Sequence, residues 1–253
     1  MTTGPADPIR WARRFAADLD ARCGGALRAA YLHGSAVLGG WVAQRSDVDI
    51  LVVVADDIAA RAVEASGEVF LAAGADCPGV GLEASVVTAS SAERPRAPWP
   101  FVLHVGDGRL YRGSERPGDA DLIMHYAVCR AAGMALLGPP PAAVIGPVGR
   151  DAILGYLADD LAWGLANASE SYSVLNACRA LVFCLEGSIV SKVAGGEAVV
   201  LRRTGPPDLV RDALRVQRGE AESRPPRPQA AAFVQDVIGQ LRAARADDAG
   251  VLG

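Results

Sequence analysis

The sequence predicts an α/β domain with a mixed sheet, followed by an all-helical C-terminal domain. The segment Val48–Val54 is a nearly continuous run of β-branched residues, which fits a strand buried on both faces. It lies within an alternation of strands and helices over about the first 90 residues, the pattern of an α/β domain. After Pro141, every periodic segment has helical spacing. We therefore place the two domains at residues 1–145 and 150–253.

Apolar periodicity and turn residues predict the elements of the first domain. Residues 8–23 have the spacing of an amphipathic helix. Residues 90–117 are rich in Pro, Gly and Arg and hold one or two short strands. Residues 119–137 are predicted to form a helix. It ends at Gly138 and three prolines, because prolines cannot continue a helix. The remaining elements are strands at 27–32, 48–54 and 80–87 and a helix at 57–65.

The second domain is predicted to contain only helices. Residues 151–166 place their apolar side chains on one stripe. Residues 174–185 are followed by Gly187, a residue type that commonly ends helices, and Pro206-Pro207 begins a later helix. The other helices are predicted at 191–200, 208–217 and 230–246.

Composition limits the class of function. The chain has 253 residues, 51% of them hydrophobic, a net charge of −4 and a pI of about 5.4. Because nucleic-acid-binding proteins usually present a basic surface, we expect no nucleic-acid partner, and an acidic surface suits a cationic small-molecule acceptor. Five cysteines without a CxxC pair indicate neither a disulfide framework nor a zinc site. No signal-peptide pattern occurs in residues 1–20 and no apolar run reaches about 18 residues. We therefore expect a cytoplasmic protein without a membrane partner. The sequence does not indicate the oligomeric state.

The first chemical motif is Gly34-Ser35, which follows a predicted strand and precedes a predicted helix start. A glycine at this point lets the backbone approach an anion, and the serine hydroxyl and helix amides can then bind phosphate oxygens. The motif is not a Walker A loop, because GxxxxGK[ST] is absent.

The second motif is Asp47-Val48-Asp49 at the start of the buried strand. Residues i and i+2 of a strand point to the same face, so the two carboxylates are expected side by side. Two adjacent anions repel each other unless a divalent cation lies between them, and Mg²⁺ prefers one or two protein carboxylates together with substrate phosphates. The alternative is a solvated turn, which the upstream Gly34-Ser35 and the hydrophobic strand that follows disfavour.

Glu83 is a lone carboxylate within the apolar run Val80–Val87. If this strand is adjacent to the strand of Asp49, Glu83 can join the same metal cluster, or act one water away as the base that removes a proton from an attacking hydroxyl. The alternative is an edge-strand glutamate that faces solvent. The histidines His33, His104 and His125 have no metal-ligand spacing, and His33 is interpreted as structural.

Taken together, these residues resemble a known family. The segment GSAVLGGWVAQRSDVDILVVV resembles the signature of the polymerase-β-like nucleotidyltransferase fold. In detail it resembles the aminoglycoside adenylyltransferases that inactivate streptomycin and spectinomycin, which pair this fold with an all-helical C-terminal domain. Further matching segments extend the resemblance over most of residues 28–200: 82–88, 119–122, 135–139, 175–179 and 187–192.

The resemblance implies Mg²⁺-dependent transfer of a nucleotidyl group, AMP, from ATP to a hydroxyl group. It implies that Arg179 and Lys192, the only lysine of the chain, reach the triphosphate from the helical domain. We expect the triphosphate and the acceptor to meet in the cleft between the domains. The predicted site comprises Glu83 as the catalytic base, Asp47, Asp49 and Glu83 as metal ligands, and Gly34, Ser35, Ser46, Arg179 and Lys192 as nucleotide-binding residues.

The acceptor is predicted from two positions at which this chain departs from part of the family. Members that accept streptomycin as well as spectinomycin carry a tryptophan and an aspartate where this chain has Gly108 and Ser169. With the adjacent Asp107 and Glu170, these are the predicted substrate-binding residues. Their identity favours a spectinomycin-like acceptor over streptomycin. Three alternatives stay open: transfer to a protein, RNA or metabolite, a nucleotide-binding regulator without catalysis, and an enzyme of antibiotic biosynthesis or self-protection.

Overall fold

The computed structural model of the chain describes residues 7–222 and 225–251. The chain divides into two compact units, one up to Val148 and one from Gly149 onwards. The first unit is an α/β domain and the second consists of helices, so the predicted fold class is confirmed.

A mixed sheet of six strands forms the centre of the first unit, in the order β5-β4-β3-β2-β1-β6. Strands β2 and β3 run parallel, and the other described neighbours are antiparallel. Their bounds are β1 Leu27–His33, β2 Val48–Val54, β3 Leu82–Thr88, β4 Leu103–Gly106, β5 Arg109–Arg112 and β6 Met134–Leu137.

Helices cover both faces of this sheet, which explains why β2 consists almost entirely of apolar residues. On one face, Phe15 of α1 (Pro8–Arg22) and Phe70 of α2 (Ala59–Ala75) belong to the same buried cluster as Ile50 and Val52 of β2. On the other face, Tyr126 of α4 (Leu122–Ala132) packs in a cluster with Leu51 and Val53. The predicted burial of β2 on both faces is confirmed. Two short helices complete the unit, α3 (Ala89–Glu93) and α5 (Pro141–Val144).

Two local predictions for the first unit are wrong, and the bounds of a third differ from the structure. The predicted helix 119–137 ends at Ala132, because Gly133 is extended and the apolar residues after it form β6 on the free edge of β1. The helix start after Gly34-Ser35 is a single 3₁₀ turn, Gly34–Ala36. The helix predicted at 57–65 is α2, which continues to Ala75 and packs Phe70 against the sheet.

The second unit contains the helices that the sequence predicts, with bounds that differ by a few residues. The central helix α7 buries Val174, Leu175, Ala177 and Cys178 and is in contact with the four other helices. It ends at Gly187, which adopts the left-handed conformation with φ 70°. The bounds are α6 Arg150–Asn167, α7 Glu170–Glu186, α8 Lys192–Arg202, α9 Pro207–Gln217 and α10 Arg227–Val251. Over the described residues, no helix has the length and apolar character needed to span a bilayer.

Candidate active site

Three ionisable side chains occupy one row near the ends of three neighbouring strands. His33 ends β1 opposite Asp49 of β2, and Asp49 is in register with Glu83 of β3. Side chains in directly neighbouring positions project from the same face of a sheet, about 5 Å apart. The condition that the sequence left open, that the strands of Asp49 and Glu83 are neighbours, is therefore met.

Two glycines lie against the paired aspartates. A β-carbon on Gly34 would lie 1.8 Å from Oδ2 of Asp49, and one on Gly81 would lie 3.1 Å from Oδ1 of Asp47. Gly34 also has φ +63°, which only glycine adopts readily. The sequence predicted that Gly34 permits a close approach, and in the structure the group that approaches it is the carboxylate of Asp49.

The donor atoms of Asp47 and Asp49 suit a hard divalent cation. Asp47 and Asp49 are both partly exposed and offer carboxylate oxygens, and Mg²⁺ usually binds one or two carboxylates and completes its shell with phosphates and water. Among the described residues, no group of three or more His, Cys, Asp or Glu side chains is arranged to hold a metal ion. A two-carboxylate site therefore fits the structure, and the three-carboxylate site with Glu83 stays a prediction.

Glu83 makes a contact that the sequence did not predict. Its Oε1 lies 3.2 Å from Nε2 of His125, which comes from α4 above the sheet. Burial raises the pKa of Glu83, but the hydrogen bond from His125 and the neighbouring histidines outweigh it and lower that pKa below its usual range. Burial alone would lower the pKa of His125. The hydrogen bond to Glu83 and the charges of Asp121 and Asp49 have the opposite effect and outweigh it, so the pKa of His125 is raised.

All three histidines of the chain surround this carboxylate. The ring of His33 lies 4.9 Å from the ring of His125, and burial lowers the pKa of His33 to about 3. Nδ1 of His104, on β4, forms a hydrogen bond of 2.9 Å with Oγ of Ser85, and burial lowers the pKa of His104. Because the three belong to β1, β4 and α4, only the tertiary fold brings them together, and no local spacing could have revealed the cluster.

The remaining predicted residues of the first unit lie at the same end of the strands as Asp49 and Glu83. Ser35 is partly buried in the 3₁₀ turn that follows β1, and Ser46 is buried, where its Oγ accepts a hydrogen bond of 3.1 Å from the amide of Val42. Asp107-Gly108 is the exposed two-residue turn between β4 and β5, with φ 51° and 67°. The hairpin register places this turn one residue beyond the row of Glu83.

In the second unit, Arg179 and Lys192 belong to two helices in close contact. A β-carbon on Gly195 of α8 would lie 2.8 Å from the Cα of Arg179 on α7, so the glycine permits the helices to approach. Lys192 lies one turn before Gly195, and its Nζ is 4.3 Å from the centre of the Tyr172 ring, also on α7. Asp160 of α6 lies 3.9 Å from Nη2 of Arg179.

Ser169 and Glu170 occupy the beginning of α7. Oγ of Ser169 accepts a hydrogen bond of 3.3 Å from the amide of Tyr172 and so caps the helix. Glu170 lies in the first turn, where a negative charge complements the helix dipole. Both residues thus have a structural function, and their predicted contact with an acceptor stays a prediction.

Comparison with known proteins identifies the class. The crystal structure of spectinomycin adenyltransferase AAD(9) from Enterococcus faecialis with ATP and spectinomycin matches 93% of this chain and 98% of its own, with TM-score 0.65 and 16% identity. This similarity shows that the two chains share a fold. Residues 144–240 match the family model for the aminoglycoside adenylyltransferase C-terminal domain. No significant match was found among curated proteins.

The fold and the matched C-terminal domain define a nucleotidyltransferase enzyme. Residues 144–240 thus resemble the C-terminal domain of the aminoglycoside adenylyltransferases, in agreement with the resemblance found in the sequence.

Proposed function

We propose that this enzyme transfers AMP from Mg²⁺-bound ATP to a hydroxyl group of an aminocyclitol antibiotic, with a spectinomycin-like acceptor preferred over streptomycin. The observation that carries the proposal is the alignment of Asp49 and Glu83 in register on neighbouring parallel strands, with Asp47 just before Asp49. ATP and spectinomycin are the ligands of the structurally similar AAD(9), and the family of residues 144–240 supports the same acceptor class.

Asp47 and Asp49 are the proposed ligands of the cation. These two carboxylates would hold a Mg²⁺ ion, which would supply positive charge against the phosphates and the leaving pyrophosphate. The backbone at Gly34 and the hydroxyls of Ser35 and Ser46 lie at the same edge of the sheet and bind phosphate oxygens.

Glu83 is the proposed general base. Its carboxylate is ionised at neutral pH, since its pKa is not raised, and an ionised carboxylate has the lone pair needed to accept a proton. As Glu83 takes the proton of the acceptor hydroxyl, the hydroxyl oxygen forms a bond to the α-phosphorus of ATP. The bond from that phosphorus to the bridging oxygen breaks, and pyrophosphate leaves with the electron pair.

Arg179 and Lys192 are proposed to stabilise the charge of the triphosphate from the helical domain. The close packing at Gly195 keeps together the two helices, α7 and α8, that carry these cations.

An acceptor screen tests the proposed function. The protein is incubated with ATP, Mg²⁺ and spectinomycin, streptomycin or other aminocyclitols, and modification is read from pyrophosphate release and the mass of the acceptor. We expect spectinomycin, and not streptomycin, to gain one adenylyl group. ATP binding without turnover of any acceptor would indicate a regulator, and labelling of RNA or protein would indicate a different acceptor class.

A further inference from the structure

The contact between His125 and Glu83 has no role in the proposed mechanism so far. Glu83 lies beside Asp49 in the sheet register, so its carboxylate is within reach of a cation at Asp47 and Asp49. One of its oxygens, Oε1, is instead 3.2 Å from Nε2 of His125.

Packing fixes the position of the His125 ring. Its side chain is only 12% exposed, and the ring lies 4.9 Å from that of His33 with an angle of 47° between the planes. The adjacent residue, Tyr126, is fully buried in the cluster that joins α4 to the sheet. The imidazole therefore has little freedom to follow Glu83 if that side chain turns towards Asp49.

We propose that His125 is a positioning residue that holds Oε1 of Glu83, keeps this carboxylate out of the cation site of Asp47 and Asp49, and leaves Oε2 to accept the proton of the acceptor hydroxyl. This inference rests on the proposed function. It assigns different functions to two carboxylates in the same row of the sheet: Asp49 binds the cation, and Glu83 accepts the proton.

Three substitutions of His125 separate this role from a packing role. The amide nitrogen of glutamine reaches the position of Nε2, whereas that of asparagine reaches only the position of Nδ1. His125→Gln therefore restores the donor to Glu83, His125→Asn is a polar variant that is too short to do so, and His125→Leu fills the space without a donor.

We expect His125→Gln to keep kcat close to that of the wild type. In His125→Asn and His125→Leu, kcat falls by about 10- to 100-fold, the usual effect of losing such a supporting hydrogen bond, while the KM for ATP changes little. In the same two variants, the released Glu83 can join the aspartates, so nucleotide-free protein binds Mn²⁺ about tenfold more tightly. A residue that only fills the core cannot produce this gain in affinity.

Tyr126→Phe is the matched control, since it changes the neighbouring buried side chain of α4 and removes a hydroxyl that has no hydrogen-bond partner. We expect it to leave kcat and Mn²⁺ affinity unchanged, and melting temperatures check that every variant is folded. Wild-type kcat and Mn²⁺ affinity in His125→Leu would overturn the positioning role, as would equal losses in all three His125 variants. If the wild type modifies no acceptor, the proposed function fails, and the Mn²⁺ titration still decides whether His125 restrains Glu83.

Discussion

The backbone of Gly34 lies directly against the carboxylate of Asp49. A β-carbon at residue 34 would lie 1.8 Å from Oδ2 and 2.5 Å from Cγ of Asp49, and the φ angle of +63° independently favours glycine. Two separate physical constraints therefore require glycine here, one steric and one conformational. The turn after β1 consequently fixes the carboxylate to which we assign the cation.

Gly34→Ala is expected to destabilise the protein and to reduce transfer, because Asp49 must move to admit the methyl group. We expect the free energy of unfolding to fall by about 2–4 kcal/mol, the sum of left-handed strain and steric overlap. Gly39→Ala is the control, since Gly39 has φ +76° but a β-carbon there would meet no atom within 4 Å. It should lose only about 1–2 kcal/mol and keep its activity. Equal losses in denaturant unfolding would show that the contact with Asp49 has no energetic cost.

Glu83→Gln is expected to abolish transfer while it leaves ATP binding largely intact. The amide keeps the shape of the side chain but cannot accept the proton, and loss of a general base typically lowers kcat by about 10²–10⁴-fold. The measurements are pyrophosphate release with the best acceptor and ATP affinity by calorimetry. Glu68→Gln, at an exposed position on α2, makes the same chemical change away from the site and should have no effect. Full activity of the Glu83 variant would refute its assignment as base.

Much of the fold could be predicted because its signals are local. The bounds of β2 coincide with the predicted run Val48–Val54, since a strand buried on both faces must be apolar throughout. The strand β6 was missed for the opposite reason. This short strand pairs with the free edge of β1, and a long-range partner of this kind leaves no periodicity that distinguishes a short strand from the end of a helix.

The residues of the candidate site likewise differ in whether the sequence alone could predict them. Asp47, Asp49 and Glu83 could be selected as candidates because carboxylates at the start of apolar strands are conspicuous in a sequence. His125 could not, because its relation to Glu83 depends on how α4 crosses the sheet. A helix–sheet contact is set by the packing of many side chains, so the partner of a catalytic carboxylate is not encoded at a fixed spacing from it.

Asp49→Asn is expected to weaken the binding of Mn²⁺ and of Mg²⁺-ATP without unfolding the protein. The amide removes one anionic ligand from the proposed site of Asp47 and Asp49, and we expect at least about a tenfold loss of cation affinity. Asp57→Asn is the control, because Asp57 is exposed beyond the opposite end of the same strand. Calorimetric titration with Mn²⁺ provides the comparison, and unchanged affinity in the Asp49 variant would place the cation elsewhere.

Gly195→Ala tests whether Arg179 and Lys192 act as one group. The new methyl group would lie 2.8 Å from both N and Cα of Arg179, and backbone atoms in a buried helix cannot move aside. The first turn of α8, which begins with Lys192, must then shift relative to α7. Since a displacement of about 1 Å in a binding group can cost up to 10²-fold, we expect kcat/KM for ATP to fall by about 10- to 100-fold.

The control for this substitution is Gly239→Ala, in the middle of α10, where a β-carbon meets no atom within 4 Å. There the helix propensity of alanine should raise the free energy of unfolding by about 1 kcal/mol and leave kcat/KM unchanged. If Gly195→Ala lowered stability but not kcat/KM for ATP, the spacing of the two helices would matter for packing alone. The triphosphate would then have to be bound by other cations, because both Arg179 and Lys192 flank the contact that the substitution disturbs.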